Sequence, residues 1–179
     1  TEEDKTADWI DTDFSFKPES ICAEDPSRYG EIIWKHLRDI RVYAPGPKIN
    51  CKITLYNPET NKPSPSDVKQ GILGNCYLLS ALIIVSNSRP DIITNSILTH
   101  IPTNTNLTTQ SSYQIQLHKN NQPITITVDN HFPCNPTGPI YPFCSLFCSS
   151  AKKSIAFLWP VLIEKGYAKM YGSYGNIEA

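Results

Sequence analysis

The sequence lacks the features that mark membrane-spanning and nucleic-acid-binding chains. No apolar run in its 179 residues approaches the roughly 20 that a transmembrane helix needs. The formal net charge is only -1, from 16 basic and 17 acidic residues, so no basic surface that would attract nucleic acid is indicated. We therefore expect no membrane span and no nucleic-acid partner.

A secretory leader and a disulfide-rich composition are also missing. The chain begins Thr1-Glu2-Glu3-Asp4-Lys5, which is acidic where a signal peptide is basic and then apolar, and the absence of an initial methionine suggests excision from a longer protein. The six cysteines are irregularly spaced and too few for a disulfide scaffold. We therefore expect reduced thiols and a cytoplasmic location, in which the glycosylation pattern Asn106-Leu107-Thr108 would have no use.

No Cys-x-x-Cys pair is present, which weighs against a zinc knuckle. His131, Cys134, Cys144 and Cys148 do provide four nitrogen and sulfur ligands, so a zinc site is the alternative to an ordinary loop. Because the interval between Cys134 and Cys144 is wide, we favour the loop, and elemental analysis showing one equivalent of zinc would reverse that preference.

The most informative stretch that is present runs from Gln70 to Val85, QGILGNCYLLSALIIV, where a glycine-bearing loop leads directly into an apolar helix. Cys76 lies in the first turn, where unpaired backbone N–H groups favour a thiolate. Gln70, six residues earlier, can fold back so that its amide joins the Cys76 N–H as an oxyanion hole. The alternative is a buried core cysteine. The glutamine, the glycines and the following aromatic residue favour the nucleophile.

Hydrophobic patterning predicts the surrounding elements. Apolar residues on nearly every face predict that the helix after Cys76 is buried through the middle of the domain, with Asn75 as N-cap and an end near Pro90. Near-helical spacing predicts another helix within 26–40, with His36 half-exposed on it.

Three further elements are predicted from local signals. Residues 51–55 read as a short strand, and alternating residues in 113–117 and 124–128 predict a β-hairpin. Residues 158–171 predict a second long helix, with Pro160 in its first turn and Gly172 as its C-terminal stop.

The segment around Cys76 resembles the nucleophile segment of the calpain family of cysteine proteases, in which Gln-Gly leads through Leu-Gly-Asp to Cys-Trp and a Leu/Ala-rich helix. Leu73 stands where relatives of papain carry a cysteine, which favours the calpain branch. Asn75 replaces the usual acid and Tyr77 the usual tryptophan. We expect packing and charge around the nucleophile to differ accordingly.

Residues 158–171 resemble the family's second motif, a tryptophan followed by Leu-Leu-Glu-Lys-Ala-Tyr-Ala-Lys and Gly-x-Tyr, with Gly166 in place of alanine. Taken together, the two motifs imply an α+β fold, the helix-rich first lobe of a papain-like cysteine protease with a buried central helix and a small β-hairpin. Residues 1–66 would be the extended segment and loops leading into the lobe, and residues 67–179 the cysteine-bearing subdomain.

The resemblance implies an intracellular cysteine endopeptidase that acts on protein substrates through an acyl-enzyme, with Cys76 as nucleophile and Gln70 in the oxyanion hole. A second lobe of the same polypeptide would bring the catalytic histidine and asparagine, since the four histidines of this chain lie in segments unlike the family's. We therefore expect this half of the protease core to be inactive alone. The alternative is a non-catalytic calpain-like regulatory or interaction module, and the sequence after Ala179 would distinguish the two.

A calcium ion in each protease lobe is also implied by the resemblance, with acidic ligands nine residues before the nucleophile and two before the tryptophan. Asp67 matches the first position, but Phe157 stands at the second. Backbone carbonyls near Thr60 and Lys62 remain as ligands, and one carboxylate with carbonyls binds a hard cation weakly. We therefore expect a weakened or absent calcium site and no organic cofactor.

Overall fold

The computed structural model describes residues 8–41, 51–101, 106–136 and 155–179. Its helices are α1 (Pro18–Ile21), α2 (Cys76–Ser88), α3 (Pro90–Ile92) and α4 (Trp159–Tyr171). Its strands are β1 (Ile33–His36), β2 (Lys52–Thr54), β3 (Ser112–Lys119), β4 (Gln122–Asp129), β5 (His131–Cys134) and β6 (Ile155–Phe157). This mixture of helices and small sheets is the expected α+β class. Within the described ranges, no helix has the length and apolar character needed to cross a membrane.

The strands pair as three two-stranded sheets. β1 lies antiparallel to β5, β2 lies parallel to β6, and β3 lies antiparallel to β4. Two of the three pairings therefore join strands from the first 66 residues to strands that come after the hairpin.

The predicted hairpin of β3 and β4 is confirmed. Its two-residue turn consists of Asn120 and Asn121, whose φ angles of 52° and 60° are those of the left-handed region. Such turns match the twist of the flanking strands, and asparagine tolerates positive φ better than most residues. Tyr113 and Ile115 point into the core while Gln114 between them is exposed, as the alternation predicts.

The helix predicted within 26–40 is wrong. Its apolar residues instead form β1, which is followed by a 3₁₀ turn over Leu37–Asp39. The backbone of β1 finds partners on β5, and the Leu37 N–H donates to the Asn130 carbonyl at 2.8 Å. His36 is therefore only 6% exposed rather than half-exposed. Pairing with a distant strand outweighs a local helical spacing here because the backbone of β1 is hydrogen-bonded along β5 and His36 is buried by the same contact.

The helix that follows Cys76 is confirmed as α2, but its burial is confined to one side. Leu79, Leu82 and Ser86 face the core, whereas Ile83 and Ile84 are 39% and 64% exposed. The chain continues after α2 into α3 and then a single π-helical turn over Ile93–Ile97.

The second long helix, α4, is the element that the core surrounds. Its side chains are buried on nearly every face, including Glu164 and Lys165, and Trp159 is fully buried at its start. Pro160 lies in the first turn and Gly172 ends the helix with a φ of 96°, as predicted. A left-handed residue at this position ends a helix at no steric cost only when it is glycine.

A small second core lies beside the first and holds the segment before Cys76. Its buried members come from the N-terminal segment, the loop before α2, α4 and the C-terminal segment: Phe14, Ile21, Leu73, Ala168, Tyr174 and Ile177. Leu73 is fully buried there. The loop that carries the candidate nucleophile is thus anchored to both ends of the described chain.

Gly166, which departs from the family motif, faces the hairpin. A Cβ at this position would lie 2.8 Å from Ile115 Cδ1. We expect Gly166→Ala to destabilise the chain by about 1 kcal/mol in urea unfolding, because overpacking of about 1–3 kcal/mol exceeds the gain of about 1 kcal/mol in helix propensity. In an Ile115→Val background, which lacks Cδ1, the same substitution should be neutral or stabilising. Equal effects in both backgrounds would contradict this explanation.

Candidate active site

Cys76 is the first residue of α2 and is exposed as a free thiol. The helix begins at this point because the Leu78 and Leu79 N–H groups both donate to the Asn75 carbonyl, at 3.0 and 3.3 Å. The N–H groups of the first helical turn have no acceptor within the helix and carry partial positive charge. The structure therefore places the sulfur where a thiolate, and a developing oxyanion next to it, would be stabilised.

The side chain of Gln70 bends back onto the loop that precedes α2. Gln70 Nε2 donates to the Leu73 carbonyl at 3.0 Å, while the side chain stays exposed. An amide nitrogen carries two hydrogens, so this bond orients the group and leaves a second N–H for another acceptor. The Gln70 side chain thus bonds within its own loop, and its approach to the Cys76 N–H and its role in an oxyanion hole stay predictions.

Asn75, which replaces the usual acid, is buried against α4. It occupies the N-cap position, but its side chain makes no capping bond, and Asn75 Nδ2 donates instead to Glu164 Oε1 at 2.7 Å. This bond to a carboxylate is charge-assisted, whereas the buried Asn75 Oδ1 has no hydrogen-bond partner among the described residues. The amide avoids charge repulsion, since an aspartate at position 75 would place its carboxyl group next to that of Glu164 in a buried site.

Tyr77, which replaces the usual tryptophan, binds the C-terminal segment. Its hydroxyl donates to the Ile177 carbonyl at 3.0 Å, and its ring meets Tyr167 edge-on with centroids 6.5 Å apart. Tyr167 in turn contacts Tyr171, at 5.0 Å between centroids. This row of tyrosines packs the first turn of α2 against α4.

The C-terminal segment also holds the loop before the nucleophile, a feature that sequence reasoning missed. The Gly74 N–H donates to Glu178 Oε1 at 3.0 Å, and the Ala179 N–H donates to the Gly74 carbonyl at 3.0 Å. Glu178 also forms an ion pair with Arg28, with Nη2 and Oε2 2.7 Å apart. The sequence indicates this contact only through Gly172, which ends α4 and allows the chain to turn back toward the loop.

The four histidines make their contacts away from Cys76. His36 and His131 stack edge-on with ring centroids 5.2 Å apart, and burial lowers the pKa of both imidazoles. His100 contacts Gln116, and His118 is exposed on β3. Within the described ranges, no hydrogen bond or ion pair joins a histidine to Cys76, so these residues provide it with no partner base.

Asp67, the candidate calcium ligand, is engaged in structural bonds. It is 3% exposed at the end of a 3₁₀ turn, and its Oδ2 accepts from the Ser64 N–H at 2.8 Å and from Trp159 Nε1 at 2.9 Å. Burial raises the pKa of this carboxyl group. Phe157, at the second ligand position, is a buried residue of β6. Asp67 Oδ2 thus faces two N–H donors, and in the part of the chain that the structure describes no group of three His, Cys, Asp or Glu side chains surrounds it to hold a metal ion.

Of the possible zinc ligands, His131 and Cys134 lie on β5, while Cys144 and Cys148 fall outside the described residues. No group of three or more His, Cys, Asp or Glu side chains that could hold a metal occurs in the ranges the structure covers. The zinc alternative therefore gains no support from β5.

Comparison with known proteins identifies the family and several relatives of this chain. The sequence profile of a family described as "Calpain family cysteine protease" matches residues 9–179. Similar proteins include the calpain-type cysteine protease DEK1 of Zea mays, 26% identical over 171 residues that cover 93% of this chain and 7% of the relative. Calpain-10 of Macaca fascicularis is 28% identical over 65% of this chain and 16% of the relative, and calpain clp-4 of Caenorhabditis elegans is 27% identical over 94% and 20%. The chain thus spans a fifth or less of each of these three relatives.

Proposed function

The chain belongs to the calpain family of cysteine proteases, and we propose that it is the nucleophile-bearing lobe of an endopeptidase that cleaves protein substrates through Cys76. The observation that carries the proposal is the exposed thiol at the first residue of α2, next to a loop that orients Gln70. In this proposal the Cys76 sulfur bonds to the scissile carbonyl carbon. The resulting oxyanion accepts hydrogen bonds from the Cys76 N–H and the second N–H of Gln70 Nε2.

Completion of the reaction requires a proton carrier from outside this chain. A histidine of a following lobe would take the thiol proton and return it to the leaving amine, after which water hydrolyses the thioester. Two observations support a second lobe of the same polypeptide as the partner. Ile83 and Ile84 on α2 are apolar and exposed, and the chain spans a fifth or less of the three relatives named above.

The second candidate function is a non-catalytic regulatory or interaction module in which the motif persists as scaffold. It draws on Asn75 and Tyr77, the two departures from the family pattern. Their side chains bond to Glu164 and to the Ile177 carbonyl, so each substitution is accommodated by packing contacts. This favours the peptidase, because neither substitution removes the thiol or the amide donor.

The proposed function is tested on the natural polypeptide that contains this chain and its continuation. A peptidyl epoxide should label one cysteine, Cys76, because a cysteine protease alkylates itself when a peptide-like inhibitor occupies its cleft. Cys76→Ser should abolish labelling, while Cys22→Ala, which removes a buried thiol, should leave it intact. A polypeptide whose Cys76 is titratable but refuses the epoxide would favour the non-catalytic module.

For calcium, we propose that this lobe binds the ion weakly or not at all. Support comes from the two N–H groups that already occupy Asp67 Oδ2 and from the apolar Phe157. Calorimetry on the 179-residue chain should detect no binding with a Kd of about 1 μM or below. Tight binding that Asp67→Asn abolishes, while Asp91→Asn retains it, would overturn the proposal. Asparagine is used because its carbonyl oxygen can still accept from Trp159.

We also propose a reducing, cytoplasmic location, since the described cysteines Cys22, Cys76 and Cys134 are free thiols. Burial raises the pKa of Cys134 to about 12, so it is inert in the native state and must be counted after unfolding. Titration in denaturant, on protein prepared with reductant and then freed of it under argon, should report all six cysteines. A count of two or fewer would contradict this.

A further inference from the structure

The C-terminal segment Ile177–Ala179 binds the nucleophile loop and the first turn of α2 through three hydrogen bonds. Glu178 Oε1 accepts from the Gly74 N–H, the Ala179 N–H donates to the Gly74 carbonyl, and Tyr77 donates to the Ile177 carbonyl, each at 3.0 Å. Both backbone groups of Gly74 are therefore occupied by a segment about a hundred residues away in sequence. Of the three bonds, the one from Glu178 involves a side-chain carboxylate.

That carboxylate is itself held in place. Its second oxygen lies 2.7 Å from Arg28 Nη2, and the side chain is only 15% exposed. A Cβ at position 74 would lie 3.4 Å from Glu178 Oε1, so the glutamate packs directly over the glycine. A carboxylate fixed between a guanidinium and an N–H group makes a charge-assisted bond, which is stronger and more directional than a neutral one.

The same peptide unit is bound at both ends by side chains. The Leu73 carbonyl accepts from Gln70 Nε2, and the Gly74 N–H of that peptide donates to Glu178. A peptide unit is planar, so fixing the direction of its N–H also fixes the direction of its C=O. Glu178 thereby sets the acceptor that orients the Gln70 amide.

We infer that Glu178 is a positioning residue of the oxyanion hole: by holding the plane of the Leu73–Gly74 peptide it orients Gln70 toward the site of the reacting carbonyl. This inference rests on the proposed function for its kinetic consequence, and on the geometry alone for the orientation of Gln70. Arg28 has a supporting role, because it holds the carboxylate but does not touch the peptide.

The first test measures orientation without any activity. Hydrogen exchange is followed by NMR on the 179-residue chain. Glu178→Ala should accelerate exchange of the Gly74 amide at least about tenfold and make the Gln70 side-chain amide exchange as fast as free glutamine. Glu178→Gln keeps an acceptor oxygen and should restore most of the protection. Asp91→Ala, which removes an exposed Arg–carboxylate pair beyond the far end of α2, should change neither signal. Unaltered Gln70 exchange in folded Glu178→Ala would overturn the inference.

The second test is a kinetic cycle on the natural polypeptide with its continuation. Glu178→Ala should lower kcat roughly tenfold with KM little changed, less than the 10²–10³ typical of deleting a donor outright. In a Gln70→Ala background the same substitution should have no further effect, since the group that it orients is gone. Losses that simply multiply would show that Glu178 does not act through Gln70. If no variant turns over substrate, the proposed function has failed, and the exchange measurement still decides the inference.

Discussion

Residues 1–179 alone should show no peptidase turnover, and Cys76 should react with iodoacetamide at about the rate of an ordinary exposed thiol. The start of a helix stabilises an anion there by only roughly 0.3–1 kcal/mol, which is too little to replace a catalytic base. Full ionisation in papain-like sites depends on a histidine partner, and none of the four histidines of this chain contacts Cys76 within the described ranges.

Joining the proposed histidine-bearing second lobe should raise the alkylation rate by more than about tenfold, because a histidine partner stabilises the nucleophilic thiolate. Proteolysis should appear with it. Both gains should be abolished by Cys76→Ser and kept in Cys22→Ala. Peptide cleavage by residues 1–179 alone would mean that a base lies within them, and the half-enzyme interpretation would be wrong.

Asp129→Ala should lower the free energy of unfolding by about 3–5 kcal/mol, because it leaves the buried charge of Lys165 without its carboxylate. Lys165 is fully buried on α4, and its Nζ lies 2.6 Å from Asp129 Oδ1 and 3.0 Å from the Asp129 carbonyl. The other carboxylate oxygen accepts from the Asp11 N–H at 3.1 Å. Asp11 in turn pairs with Lys169 at 2.7 Å, so the network ties the N-terminal segment to α4 and β4.

Urea unfolding of the 179-residue chain measures this effect. Replacing the lysine as well, in Asp129→Ala/Lys165→Met, should recover a large part of the loss, since an apolar side chain of similar volume needs no counter-charge. Asp91→Ala, which breaks the exposed pair with Arg89, should leave the midpoint almost unchanged. A double variant no more stable than Asp129→Ala would show that the loss comes from something other than the stranded charge.

The two long helices show how far composition predicts burial. The run after Cys76 is apolar on nearly every face, and the structure buries only one side of it. The helix from Trp159 contains glutamate, two lysines and two tyrosines, and it is the one that lies in the core. Its charged side chains can be buried because they bind partners on β4, β5 and the loop before α2. The periodicity of the α4 sequence does not indicate these partners.

Elements with local causes can be predicted from the sequence. A proline in the first turn and a glycine stop bound α4, two asparagines with positive φ close the hairpin, and Asn75 precedes the first residue of α2. The position of Cys76 at the first residue of α2 belongs to the same class. Such features depend on neighbours a few residues away, so a short stretch of sequence contains all the atoms that decide them.

Four features depend on contacts between distant parts of the chain: the strand at Ile33–His36, the exposed side of α2, the pairing of Lys165, and the bond from Gly74 to Glu178. The partners in these contacts are 36 to 104 residues apart or, for β1, on a strand about a hundred residues later. Backbone polar groups and buried charges bind whichever partner the fold brings near. The spacing of residues within one segment does not predict that partner.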